Sequence, residues 1–218
     1  MCFINRKQLI TIVIGAVSTI CNGQSIDNMI IKGSFTSQDS ILITSAYLNA
    51  NQAVQHMYNA VKSIWEIEGE QEKSTKSQRK ERWQNDETFV KWLGQPRNIG
   101  MAYRKIRKIH SKFNGKFILE VTKEDKGRCN RWVGAWAAPY GNVKITLCRN
   151  FFNVNALLSG KFLIHELGHE AGMLSHRKIY SCQAAIIAAS SNENNRSLQN
   201  PENYAWLAMS YLGLECYK

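Results

Sequence analysis

Residues 161–176 read KFLIHELGHEAGMLSH and contain three of the five histidines of the chain. An apolar run leads into His165, Glu166 and His169, and Gly172 follows as a natural end for a helix. Histidines four residues apart lie about one turn apart on the same face of an α-helix, so their imidazoles can converge on one metal ion. This H-E-x-x-H pattern predicts a helical metal site, with the rest of the fold built around its helix.

The chemistry of the motif favours zinc. Imidazole is a good zinc ligand, and a catalytic zinc ion takes three protein ligands and keeps one position open. Glu166 is not a ligand at this spacing. Beside the metal, it can take a proton from a water that attacks a peptide carbonyl and pass that proton to the leaving amine. We therefore expect one Zn²⁺ per chain and a zinc-dependent endopeptidase with Glu166 as the general base.

The first residues have the layout of a secretory signal peptide. Arg6 and Lys7 precede an apolar run from Leu9 to Ile20, and small or polar residues follow up to Gly23. The run is too short to cross a bilayer comfortably. We expect cleavage after Gly23 and a secreted, extracellular protein without membrane contact. The expected divisions are a signal peptide over 1–23, an irregular lead-in over 24–40 and a catalytic domain over 41–218.

The cysteines are consistent with export. Two leave with the signal peptide, and four remain: Cys129, Cys148, Cys182 and Cys216. Four cysteines in an exported chain predict two disulfides, and the sequence leaves three pairings open. No C-x-x-C spacing supports a cysteine-based zinc site instead. The sequon at Asn195 predicts glycosylation in a eukaryotic secretory pathway.

The chain is basic, with 28 Lys and Arg against 17 Asp and Glu and a net charge of +11. A basic secreted protein can favour acidic surfaces. The cationic residues of RNIGMAYRKIRKIHSK, over 97–112, recur on one face of a predicted helix and are read as a solvated face. The expected partner is a protein or peptide substrate, with no specific nucleic acid, and the expected state is a monomer.

Hydrophobic periodicity places helices on both sides of a short β section. Residues 116–122 and 142–148 alternate or are β-branched, which predicts two strands, and a short strand can lie between them. The charged stretch 68–87 is expected to be a surface loop or an exposed helix end. The order of elements predicts an α+β domain. Helical spacing covers residues 41–67, 87–94, 99–115, 155–172, 182–191 and 200–214.

Four segments, in order, resemble the aspzincin zinc endopeptidases, the deuterolysin and peptidyl-Lys metalloendopeptidase group. They are FVKWLGQPRNIGMAYRKIRKI, CNRWVGAWAAPYGNVKITLCRNFF, LIHELGH, and IYSC followed by NPENYAWLA. The resemblance covers roughly residues 41–217. It implies a mainly helical, zincin-like metalloprotease domain with a small β section before the H-E-x-x-H helix. It also implies that Cys129 pairs with Cys148, which leaves Cys182 with Cys216.

The resemblance also implies roles for residues near the metal. Tyr180 matches a family tyrosine that stabilises the oxyanion of the tetrahedral intermediate. The family takes its third zinc ligand from an aspartate, but Arg177 stands at that position here. His176, one residue earlier, is therefore the hypothesised third ligand, and Glu202 is a substitute candidate. Glu202 also matches the first of two acidic residues that receive a basic substrate side chain, whereas Ala205 replaces the second.

Two alternatives remain open from the sequence. The missing aspartate is compatible with a catalytically inactive zinc-binding relative that acts as a partner-binding module, such as a toxin or adhesion factor. Retention of Glu166 and Tyr180 argues against it. The other alternative is a metzincin-like protease, whose pattern H-E-x-x-H-x-x-G-x-x-H would place the third histidine one residue before His176. Met209 could then be mistaken for the metzincin Met-turn, although a methionine in a helical core is the simpler reading.

Overall fold

The structure, a computed structural model, describes residues 29–66, 74–122, 128–129, 133–137, 143–173, 181–191 and 196–216. The strands in this part of the chain are β1 (Met29–Gly33), β2 (Phe117–Val121), β3 (Ala135–Ala137) and β4 (Val143–Leu147). The helices are α1 (Ser37–Trp65), α2 (Lys76–Asn85), α3 (Glu87–Leu93), α4 (Ile99–Phe113), α5 (Ala156–Glu170), α6 (Cys182–Ser190), α7 (Arg196–Gln199) and α8 (Pro201–Ser210). A 3₁₀ helix covers Arg149–Asn153. The predicted mainly helical α+β class is confirmed.

The strands form one mixed sheet in the order β1-β2-β4-β3. β1 pairs with β2 and β2 with β4 in parallel, whereas β3 runs antiparallel to β4 at the edge. Ile31, Leu119 and Ile145 are register partners across the three parallel strands, and all three side chains are buried. This apolar row gives the sheet one core-facing side, and β3 and β4 contact α5.

Helix α5 packs against both α1 and α8. Small residues allow the close approach to α1: a Cβ atom on Gly160 would lie only 2.8 Å from the carbonyl oxygen of Ala46. At the other end of α5, a Cβ atom on Gly168 would lie 2.5 Å from Cβ of Pro201, the first residue of α8. Glycine at these two positions therefore sets how near both neighbouring helices come to the helix that carries the motif.

The expected irregular lead-in is wrong over its described part. Residues 29–33 form β1, and α1 begins at Ser37 rather than near residue 41. Thr36 caps α1 in a capping box with Asp39: each side chain accepts a hydrogen bond from the backbone N–H of the other. β1 depends on pairing with β2, more than eighty residues along the chain. A five-residue strand stabilised by so distant a partner gives little local signal.

The charged stretch after α1 also differs from its expectation. Residues 76–85 form the separate helix α2, which Thr75 and Gln78 begin with a second capping box. The Trp83 side chain is only 1 % exposed and donates its indole N–H to the carbonyl of Gly94 at 2.8 Å. One buried tryptophan therefore anchors a helix whose other residues are mostly polar. The sequence of this helix has no apolar periodicity from which it could be predicted.

Two disulfides cross-link the described part of the chain. Cys129 pairs with Cys148 beside the end of β4, and Cys182 at the start of α6 pairs with Cys216 near the C-terminus. This is the pairing that the aspzincin resemblance implies. Met209 is fully buried within α8, which makes it a core methionine. Across the described ranges, no helix combines the length and apolar character needed to cross a membrane.

Candidate metal centre and active site

Helix α5 brings the three motif side chains to one cavity. His165, Glu166 and His169 line a cavity of about 370 Å³ together with Trp136 and Ala137 of β3. The centroids of the two imidazole rings are 5.0 Å apart, and the rings are inclined at 75°. The i, i+4 spacing therefore places the two predicted metal ligands side by side on the cavity wall, as the sequence indicated.

Hydrogen bonds define which nitrogen of each imidazole faces a metal. Nδ1 of His165 lies 2.7 Å from Oε2 of Glu202, and Nδ1 of His169 lies 3.1 Å from the carbonyl oxygen of Met173. Both partners are acceptors, so in a neutral ring the proton is on Nδ1 and Nε2 carries the lone pair. A metal ligand needs that lone pair, and this donor set suits zinc. Burial, followed by the nearby charge of His165, lowers the pKa of His169, which favours the neutral ring.

Glu166 lies between the helix and the sheet edge. Its Oε2 accepts a hydrogen bond from the backbone N–H of Ala137 in β3 at 2.7 Å. The residue is buried, and this burial raises the pKa of its carboxyl above the ordinary value. His165 and the Ala137 N–H act in the opposite direction but do not outweigh the burial. A carboxylate with a raised pKa is a better proton acceptor than one in water.

Glu202 occupies a different position from the one expected of a substrate-binding acid. It is 2 % exposed and does not line the cavity. Oε2 contacts His165, while Oε1 accepts hydrogen bonds from Nζ of Lys161 and, at 2.9 Å, from Nε1 of Trp206. Burial acts to raise the pKa of Glu202, but Lys161 and His165 together hold it below the ordinary value. Both oxygens are engaged inside the protein, which argues against a contact with substrate.

A side chain of α4 binds backbone carbonyl groups at the C-terminal end of α5. Lys105 of α4 donates from Nζ to the carbonyl oxygens of Ala171 at 3.2 Å and Gly172 at 2.6 Å. Gly172 has φ of +79°, a conformation that favours glycine, and so ends the helix as the sequence predicted. A cation at this end also complements the helix dipole. The contact fixes the turn that carries the Met173 carbonyl to His169.

The rim of the cavity carries residues that sequence reasoning did not single out. Arg128 lies over the ring of Trp136 at 5.2 Å, and both residues line the cavity. Glu170 also lines it and lies 3.9 Å from Nζ of Lys112. Nothing in the local sequence pointed to Trp136.

Several expected site residues fall outside the described ranges. His176, Tyr180 and Asn195 are among them, as is the signal-peptide segment. Within the ranges that the structure describes, no group of three or more His, Cys, Asp or Glu side chains is arranged to hold a metal ion. The remaining histidines, His56 and His110, do not line the cavity. The structure therefore presents two candidate ligands and the candidate base of the expected centre.

The fold is a mainly helical α+β domain, in which the helix that carries the H-E-x-x-H motif packs beside the edge strand of a small mixed sheet. Among solved structures, the chain is similar to the zinc peptidase from Grifola frondosa, with a TM-score of 0.60 and 13 % sequence identity. The match covers 83 % of this chain and 100 % of that one. No protein-family model matches the sequence, and no curated protein matches it either. At this identity the likeness concerns the fold alone.

Proposed function

We propose that this chain is a secreted zinc endopeptidase that hydrolyses peptide bonds with Glu166 as general base. The observation that carries the proposal is the convergence of His165, Glu166 and His169 on one cavity, with Nδ1 of both imidazoles bound to acceptors. Similarity of the fold to a zinc peptidase supports the same class of reaction. The substrate is a protein or peptide chain, and one zinc ion serves each chain.

His165 and His169 would hold the metal through Nε2. When bound, zinc would polarise the scissile carbonyl and increase the acidity of the attacking water. Glu166 accepts a proton from that water and delivers it to the leaving amine, so a single carboxylate serves as base and then as acid. Oε2 of Glu166 accepts a hydrogen bond from the Ala137 N–H, which keeps the carboxylate at the cavity wall. Trp136 and Ala137 line the same cavity and would place the substrate beside β3.

The third ligand is proposed to be His176, and Tyr180 is proposed to stabilise the developing oxyanion. A third imidazole would complete a three-histidine site with one open position. Support comes from the aspzincin-like order of segments, in which His176 lies beside the position of the missing aspartate.

Replacement of His176 by Ala should abolish retention of zinc, because two protein ligands hold the ion too weakly to survive dialysis. Metal per chain, measured by atomic emission, checks this. His56→Ala is the matched control, because His56 is exposed on α1 and does not line the cavity. Equal zinc content in both variants would remove His176 from the site.

Secretion follows from the expected signal peptide over 1–23, and two disulfides fit an oxidising compartment. Cleavage after Gly23 and glycosylation at Asn195 belong to the same proposal. Mass spectrometry of chain recovered from the culture medium of a eukaryotic host would report both at once. A mature N-terminus elsewhere than residue 24 would move the boundary without affecting the catalytic proposal.

The decisive experiment measures zinc content and proteolysis together. The purified chain and its Glu166→Gln variant are each assayed for zinc per chain and for cleavage of a denatured protein. Glu166→Gln keeps the size of the side chain and its acceptor for Ala137 but removes the base, so we expect one zinc in both and cleavage in the wild type alone. Zinc without cleavage in either protein would favour the partner-binding alternative.

A further inference from the structure

A buried polar cluster lies behind the candidate metal ligand, on the side away from the cavity. We call it the α5–α8 cluster; it consists of Lys161, His165, Glu202 and Trp206. Oε2 of Glu202 meets Nδ1 of His165 at 2.7 Å, and Oε1 accepts from Nζ of Lys161 and from Nε1 of Trp206. Every member is less than one tenth exposed. The cluster joins the motif helix to α8 through a single carboxylate.

Helices α5 and α8 each contribute two residues of the cluster, four positions apart in the sequence. Lys161 and His165 are four residues apart on α5, so they lie on the same face one turn apart. Glu202 and Trp206 have the same spacing on α8. The α8 N-cap, Asn200, fixes the first turn by accepting from the backbone N–H of Glu202. The carboxylate is therefore held on both sides and has no open direction towards solvent.

Charge explains why Lys161 is present. A buried carboxylate without a partner is strongly destabilising, whereas a paired and hydrogen-bonded one is tolerated. Lys161 supplies the cation, and its ammonium also lies 5.0 Å from the centroid of the Trp206 ring. Because this cation comes from the protein itself, the carboxylate needs none from a substrate.

We propose that Glu202 is a positioning residue for His165, closed to substrate by Lys161 and Trp206, which holds the imidazole in its Nδ1–H form with Nε2 directed to the metal. This rests on the proposed function, because it concerns the orientation of a candidate zinc ligand. It replaces the expectation that Glu202 receives a basic side chain of the substrate. It also assigns a role to Lys161, a residue that the motif does not include.

Glu202→Gln makes the proposal testable without relying on activity. The Gln oxygen stays on Lys161 and Trp206, which can only donate, so its NH₂ group must face Nδ1 of His165. A donor at that position turns the ring to its Nε2–H form. Long-range ¹H–¹⁵N correlation spectra of the metal-free chain should therefore show the Nδ1–H form in the wild type and the Nε2–H form in the variant. Glu170→Gln, which removes an equal charge from the cavity lining, should leave the His165 spectrum unchanged.

Zinc affinity provides the second readout. Loss of such a partner typically weakens metal binding about 10–100-fold, so we expect a weakening of that size for Glu202→Gln in competition with a chelator. The absorption spectrum of the Co²⁺-substituted chain should change as well. If Glu202→Gln does not fold because Lys161 is left without its counter-ion, the double variant Lys161→Met/Glu202→Gln removes both charges and serves in its place. Its amide oxygen still has the Trp206 N–H to accept, so the same tautomer is expected.

Substrate preference separates the two roles of Glu202. A positioning residue lowers hydrolysis of peptides with and without Lys near the scissile bond by the same factor, whereas an acid that binds substrate loses only the Lys peptide. An Nδ1–H ring in the folded variant, or selective loss of the Lys peptide, overturns the proposal. A wild type that shows the expected tautomer but no proteolysis would contradict the proposed function and leave the role of Glu202 standing.

Discussion

At the scale of single residues, Glu166 is held where burial disfavours the charged form of its carboxyl group. Its carboxylate is buried against β3, and that burial raises its pKa above the ordinary value. The folded chain therefore binds a proton at Glu166 more tightly than the unfolded chain does. By linkage, Glu166 contributes stability that is present below the unfolded pKa and lost as the pH rises through the folded pKa.

Glu166→Gln should therefore stabilise the metal-free chain relative to the wild type, increasingly as the pH rises from about 4 to neutrality. The neutral amide removes the buried charge and still offers Ala137 an acceptor. Each unit by which folding raises the pKa corresponds to ~1.4 kcal/mol at high pH. Thermal unfolding of both proteins in chelator across this pH range is the measurement. A constant difference in Tm would show that the carboxyl titrates alike in both states.

Only part of the candidate site can be predicted from the spacing of residues in the sequence. His165, Glu166 and His169 could be identified because four residues make one helical turn, a local relation that needs no tertiary structure. The contact of Glu202 with His165 and Lys161 joins positions about forty residues apart, and it depends on how α8 crosses α5. The resemblance matches Glu202 to an acidic residue that receives a substrate side chain, and the sequence alone does not show that Lys161 contacts the same carboxylate.

At the scale of elements, the two glycines of α5 control separate helix contacts. Because Gly160 has no side chain, α1 can pack closely against α5. Because Gly168 has none, the first turn of α8, which carries Glu202, can do the same. A methyl group at Gly168 would push α8 away from α5 and lengthen the contact between Glu202 and His165. A methyl group at Gly160 would displace α1 and leave that contact in place. Substitution of each glycine in turn therefore separates an effect on the free energy of unfolding from an effect on zinc affinity.

Gly168→Ala and Gly160→Ala should each cost about 1–3 kcal/mol of unfolding free energy, the usual cost of overpacking. Only Gly168→Ala should also weaken zinc binding, by about 10-fold or more, since the partner of a metal ligand is displaced. Urea unfolding and chelator competition measure the two effects. Gly115→Ala is a further control, because its Cβ would meet its nearest neighbour at an ordinary 3.5 Å. Equal affinity in the Gly160 and Gly168 variants would contradict the coupling between α8 and the metal.

Elements with their own apolar stripe were predicted well, and the others were not. Helix α5 ends at Glu170, two residues before the predicted stop at Gly172. Helix α8 starts at Pro201 after its cap Asn200, and β2 and β4 lie within their predicted spans. β1 and α2 were missed because each depends on a tertiary contact rather than on periodicity. β1 needs β2 as its partner, and α2 needs the burial of Trp83.

At the scale of the whole molecule, the two disulfides enclose different parts of the fold. Cys182–Cys216 closes a separation of 34 residues around α6, α7 and α8, whereas Cys129–Cys148 closes 19 residues beside the cavity. Residue 128, next to the second bridge, lines the cavity rim. Both bridges therefore constrain the chain, and Cys129–Cys148 lies directly beside a residue of the cavity rim.

Replacement of both cysteines by serine in either bridge should cost on the order of 3–4 kcal/mol, because the unfolded chain regains the entropy of an open loop. Below the unfolding transition, loss of Cys129–Cys148 should lower kcat/KM, because this bridge lies beside residue 128 at the cavity rim. Urea unfolding of both double variants and peptide hydrolysis by the Cys129/Cys148 variant are the measurements. A kcat/KM equal to that of the wild type would show that the rim does not contribute to substrate binding.

The hydrogen bond from Ala137 to Glu166 also bears on how the chain behaves among copies of itself. β3 is the edge strand of the sheet, and an uncovered strand edge is a template for pairing with another polypeptide. The edge is three residues long, and one of its N–H groups is taken by a carboxylate from its own protein. This contact therefore leaves one fewer N–H on the edge for a strand of another copy to pair with.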